Sequence, residues 1–184
     1  MTPVQYQSIS DLYALLSRLW LREVDQPLLN RMLDSQIAET LSVTQSSCDD
    51  DSIEALAVEY CRLFIGPKNH LPPFQSVWQT GQLQSEVTDS VRSFAEAVGI
   101  AETPNQEMPD HLGRQLEVMS QITKQLGNFE SDEMKELATE YFRRHLTWPK
   151  KLLAAAERQS KSDFYRAMIG LTSEVLSSET EHWL

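Results

Sequence analysis

Asp110 and His111 stand side by side just ahead of an apolar helical stripe, and they are the pair in this sequence best suited to move a proton. A carboxylate and an imidazole at a helix start are groups that general acid–base chemistry uses. The same residue types also serve the helix itself, the Asp as N-cap and the His in the first turn. Neighbours in a first turn point in different directions, a poor arrangement for a dyad. No nucleophile elbow accompanies the pair, and the six glycines (66, 81, 99, 113, 127 and 170) lie too far apart for a dinucleotide or phosphate loop. His70, His111, His145 and His182 include no pair four residues apart, and Cys48 and Cys61 form no C-x-x-C. No metal and no cofactor is expected from that inventory.

The second chemical feature is the segment Tyr60–Trp78, YCRLFIGPKNHLPPFQSVW. An apolar helix face through Tyr60, Leu63 and Phe64 stops at Gly66-Pro67. Leu71, Pro72, Pro73, Phe74, Val77 and Trp78 then crowd a stretch with no period. Apolar side chains on such a loop either fold into the body as core or line a groove for an apolar ligand. Proline stiffening lowers the ordering cost of a groove wall, because less freedom is lost on binding.

The elements that must carry these residues read as helices. Ile9, Leu12, Tyr13, Leu16, Leu19 and Trp20 share one face, with Ser8 or Ser10 as a candidate cap. Asp25 and Pro27 break that helix, and a short one follows around Leu28–Leu33. Residues 42–52, with three aspartates in a row, read as a loop. Ile53 to Phe64, Val87 to Val98, Leu112 to Leu126, Met134 to Phe142, Leu152 to Ala156 and Phe164 to Leu176 each carry apolar residues at three- and four-residue spacing. Asp110 is the expected N-cap of the Leu112 helix, and Gly127 its expected end. No stretch alternates with period two. The fold class is all-α, a single helical domain over 1–184 with roughly eight to ten helices. The connector 99–109, with Pro104 and Pro109, is a candidate hinge for a domain-swapped homodimer.

Composition narrows the function. The chain has 184 residues, 41% hydrophobic and 23% charged, with a net charge of −11. Residues 1–113 hold 16 acidic and 6 basic side chains; residues 114–184 hold 11 and 10. That balance argues against nucleic acid and against an anionic membrane surface, both of which need clustered Lys and Arg. An acidic N-terminal part suits solubility or a cationic partner. The longest wholly apolar run, Leu152–Ala156, is far too short to span a bilayer, so no stable membrane insertion is expected. Met1–Gln5 shows neither a basic region nor an apolar core of a secretory signal, and the two cysteines read as free thiols; a cytoplasmic location is expected. Arg143-Arg144 lies deep within a helical pattern and reads as a solvated face rather than an export signal.

Three motifs in order resemble the TorD/DmsD family of redox-enzyme maturation chaperones. They are Y-x-x-L-F-x-G-P with P-P-[aromatic]-x-S across residues 60–78, then Met108-Pro109-Asp110-His111-Leu112-Gly113, then His145-Leu146 and Trp148 with Phe164-Tyr165-Arg166. The resemblance covers about residues 9–178. It implies an all-helical chaperone without enzymatic activity. It also implies a partner: the precursor of a molybdenum-containing oxidoreductase, with its twin-arginine signal peptide, held until the cofactor is inserted. Carried over by position, the implied peptide- or client-binding residues are Leu63, Phe64, Pro72, Pro73, Phe74, Ser76, Trp78, Asp110 and His111. Gln75 departs from the pattern, standing where many members have Glu, and so lacks a carboxylate that could pair with a signal-peptide arginine. Alternatives are a paralogue assisting a metal-dependent phosphatase or nitrate reductase assembly, a small hydrolase using Asp110 and His111, and a helical adaptor without a metalloenzyme client.

Overall fold

The structure is a computed structural model that describes residues 1–101 and 108–184. Among these are ten α-helices and no strand, in agreement with the periodicities. They are α1 (Pro3–Leu21), α2 (Gln26–Leu33), α3 (Ile37–Thr40), α4 (Asp50–Tyr60), α5 (Gln75–Thr80), α6 (Glu86–Ala97), α7 (Leu112–Asn128), α8 (Asp132–His145), α9 (Lys150–Gln159) and α10 (Asp163–Trp183). A π-helical turn over Cys61–Ile65 extends α4. The candidate hinge 99–109 includes residues 102–107, Pro104 among them, which lie outside the described residues. Among the described residues no helix is long and apolar enough to cross a membrane.

The chain forms two compact units. Unit 1 comprises Met1–Leu21, Pro73–Pro149 and Leu176–Leu184; unit 2 comprises Arg22–Pro72 and Lys150–Val175.

Unit 1 is organised by α1 against α7, which run antiparallel along small residues spaced by seven. Ser10 Oγ donates to the Ser120 carbonyl and Ser120 Oγ to the Ser10 carbonyl, both at 2.9 Å. A Cβ at Gly113 would lie 3.0 Å from the Ser17 carbonyl oxygen, and one at Gly127 3.4 Å from that of Pro3. The helices therefore approach nearly backbone to backbone at three successive levels. Gly127 keeps α1 close rather than ending α7, which continues to Asn128. Tyr13, Leu16, Trp20, Leu116, Met119 and Ile122 fill the same unit with no exposed surface. Each such side chain contributes about 1.5–3 kcal/mol by leaving water. The start of α1 also departs from expectation. Ser8 and Ser10 lie inside the helix, and the cap is a Thr2/Gln5 box in which each side chain bonds the other's backbone N–H.

In unit 2 the aspartate run is helix start rather than loop. Asp49 caps α4 by accepting from Ser52 N at 2.7 Å, with Asp50 and Asp51 in the first turn, where the helix dipole favours negative charge. Gly66 ends the π-turn at φ −55°, so no left-handed exit is used; its lack of a side chain matters because a Cβ would sit 3.2 Å from the Cys61 carbonyl oxygen. Buried Glu59 accepts from Lys161 N (2.5 Å) and Ser162 N (3.0 Å), tying α4 to the start of α10.

Candidate functional site

The segment Pro73–Trp78 lies in unit 1 and is clamped to residues 110–112 by backbone. Leu112 N donates to the Pro73 carbonyl at 2.7 Å and Gln75 N to the Asp110 carbonyl at 3.0 Å, so Phe74 and His111 face one another as an isolated antiparallel bridge. Phe74 occupies the N-cap place of α5 and has no side chain able to cap it. Asp110 supplies the cap from a distance: its Oδ2 accepts from Ser76 N at 3.0 Å. Oδ1 accepts from the Thr88 hydroxyl of α6 at 3.1 Å. Asp110 has no exposed surface, and this is how its charge is satisfied.

The cap of α7 is His111, not Asp110. His111 Nδ1 accepts from Gly113 N at 3.0 Å, which leaves its proton on Nε2. Burial, helped by the Arg114 charge, lowers the imidazole pKa to about 3, so the ring stays neutral. It packs edge-to-face with Phe74, ring centroids 5.1 Å apart.

Beneath the segment lies a chain of buried amides. Gln75 Nε2 donates to the Arg144 carbonyl (2.8 Å), and Gln75 Oε1 accepts from Gln115 Nε2 (2.5 Å) and His145 Nδ1 (3.0 Å). Gln115 Oε1 in turn accepts from the Trp148 indole at 2.8 Å. His145 Nε2 bonds the Ser90 hydroxyl at 3.0 Å. Burial and Arg144 lower the His145 pKa to about 4, against a smaller opposite pull from Asp110 and Glu140.

The nine expected residues thus fall out differently. Pro73, Phe74, Ser76, Asp110 and His111 are brought together directly, with Trp78 one turn along α5. Phe74 and Trp78 are half-buried, while Pro73, Ser76, Asp110 and His111 are buried. Leu63, Phe64 and Pro72 belong to unit 2. There Leu63 and Phe64 are core, and Phe64 packs against Tyr60 and Tyr165. Sequence reasoning missed Thr88, Gln115, His145 and Gln75 as parts of one assembly. A signal existed for two of them: Gln115 interrupts the stripe Leu112, Leu116, Met119, and His145 follows Tyr141 by one turn, both polar residues at core positions.

The Asp110–His111 pair is committed to the fold. His111 Nδ1 is occupied and Asp110 is enclosed, so the pair offers no accessible base. Among the described residues no three His, Cys, Asp or Glu side chains group as metal ligands.

Residues 26–154 match the model of the nitrate reductase delta subunit family. The chaperone protein YcdY of Escherichia coli (strain K12) is 32% identical over 142 residues, 76% of this chain and 70% of that protein. The fold is similar to that of an Archaeoglobus fulgidus protein proposed to act in redox enzyme maturation, with a TM-score of 0.57, 20% identity, and coverage of 95% of this chain and 93% of that one. The length of the family match and the identity to YcdY place the chain in the nitrate reductase delta subunit family, the TorD-like redox-enzyme maturation chaperones, whose members are not enzymes.

Proposed function

We propose that this chain is a cytoplasmic chaperone that binds the twin-arginine signal peptide, the body, or both, of a molybdenum-cofactor oxidoreductase of the DMSO or TMAO reductase type. It holds the precursor for cofactor insertion before export. One observation carries this reading: Phe74 and Trp78 keep part of their surface in solvent on a segment whose backbone is pinned at both Pro73 and Gln75. A stiff apolar wall loses little freedom when an apolar leader is laid against it. The net charge of −11 steers a leader that carries two arginines. Asp110 and His111 belong to the proposed set as positioning residues, because both are enclosed. Leu63, Phe64 and Pro72 enter it on the motif resemblance.

The family match favours a second reading, assembly of a nitrate reductase whose catalytic subunit is not exported; the client body is then the contact. Calorimetry with a synthetic twin-arginine signal peptide separates the two. The first reading expects saturable binding that Trp78→Ala weakens. Absence of binding to the wild-type chain refutes the leader contact, and titration with a purified apo catalytic subunit then tests contact with a client body.

A further inference from the structure

The hydrogen-bond chain under α5 has a direction that its two ends determine. The Trp148 indole can only donate, so Gln115 must turn its carbonyl toward it. The Gln115 NH2 then faces Gln75, which makes the near atom of Gln75 an acceptor. At the other end the Arg144 carbonyl can only accept, so the other Gln75 atom must donate. His145 meets the same Gln75 oxygen through Nδ1, so Nδ1 carries the proton and Nε2 accepts from Ser90. Position 75 therefore needs one donor and one acceptor on a single planar group, 1% exposed and one residue from Phe74.

We infer that Gln75 is a positioning residue of the Pro73–Trp78 segment, its carboxamide tying that segment to α7 and α8 in the pose in which Phe74 and Trp78 meet a client. This rests on the proposed client-binding role of the segment. A carboxylate at position 75 fits only when protonated, because an ionised oxygen would face the Arg144 carbonyl. The titratable group in direct contact with this spot is His145 on α8, and the charges acting on that imidazole are Arg144 and Glu140 on α8 and Asp110; α6 presents Ser90 and Phe94, and α7 presents Gln115. Burial raises a carboxyl pKa, so Gln75→Glu holds the segment at acidic pH and releases it as pH rises.

The test uses the full chain with Gln75→Glu, and with Ser10→Ala as a variant that loses a buried hydroxyl elsewhere in unit 1. The probe is a synthetic twin-arginine signal peptide, titrated at pH about 7.5 and about 5.5, on either side of an expected raised carboxyl pKa. Gln75→Glu is expected to bind about tenfold more weakly at the higher pH, the cost of one orphaned buried group, and to recover at the lower. Ser10→Ala is expected to bind as the wild type does. Wild-type affinity of Gln75→Glu at the higher pH, or equal weakening at both, overturns the inference. If the wild-type chain itself ignores the peptide, the proposed leader binding fails, and amide exchange decides the inference alone. Exchange at Ser76 N and Leu112 N, corrected for intrinsic rate, must then quicken about tenfold in Gln75→Glu at the higher pH only; unchanged protection overturns it.

Discussion

Replacing Asp110 by Asn and by Ala separates two roles that a carboxylate in this place could have. If the charge is read by the arginines of a leader peptide, both replacements abolish recognition alike. If the group caps α5 and holds Thr88, the two differ. Asp110→Ala leaves Ser76 N–H and the Thr88 hydroxyl without an acceptor at a fully buried place. Two charge-assisted bonds of about 1.5–3 kcal/mol each put the loss of stability at about 3–6 kcal/mol. Asp110→Asn keeps an oxygen for Ser76 N–H, and the Thr88 hydroxyl can turn to accept from the new NH2. Only the charge assistance is lost, about 1 kcal/mol. Urea unfolding followed by far-UV circular dichroism measures both, and peptide calorimetry on the same samples measures recognition. Equal losses of stability in the two variants would refute the capping account. A stable Asp110→Asn protein that no longer binds the peptide would refute the positioning role and return the carboxylate to the arginines.

Gly113→Ala is expected to destabilise by about 1–3 kcal/mol, since the new Cβ meets the Ser17 carbonyl at 3.0 Å and Leu21 Cγ at 2.6 Å. Gly170→Ala, with nothing within 4 Å, is expected to stabilise by about 0.4–1 kcal/mol instead; thermal midpoints of the pair check the contrast. Lowered pKa values of about 3 at His111 and about 4 at His145 mean that the unfolded chain binds protons between those values and the ordinary histidine range while the folded chain does not. Their stabilisation is full above about pH 6.5 and is lost as pH falls toward about 4 for His145 and about 3 for His111. Urea midpoints that stay flat across that range would contradict it. Glu59→Ala removes the acceptor for Lys161 N and Ser162 N and should cost about 2–3 kcal/mol, with faster amide exchange at the start of α10.

Helix existence was legible because burial writes a 3.6-residue period into the chain, and Leu112, Leu116, Met119, Thr123 and Leu126 are all buried as their spacing predicts. Helix starts were read less well. Thr2-Pro3 with Gln5 is a capping box visible in the sequence, but serines nearer the apolar stripe competed with it. Asp110 was misassigned as the cap of α7 for a related reason. A cap is usually sought just ahead of its own helix, and this one serves α5, 34 residues away, while His111 does the local work. Pattern reasoning cannot see a bond whose partner is set by tertiary packing. Gln75 illustrates the same limit: on the page it is a missing carboxylate, and in the fold it is a filled amide position.

The assembly divides by exposure into side chains that hold and side chains that meet a partner. Truncating the holders must perturb stability and recognition together, because each leaves a buried polar group without its bond. Phe74 and Trp78 differ, since part of each already lies in water. Full burial makes aromatic-to-alanine changes cost about 3–5 kcal/mol, and a ring with part of its surface in solvent forfeits less. Trp78→Ala is therefore the variant in which a loss of binding reads directly as a lost contact. It should weaken the signal peptide while leaving the exchange protection of Ser76 N and Leu112 N in place. If protection at those amides falls with the ring, Trp78 belongs to the scaffold and not to the partner-facing side chains.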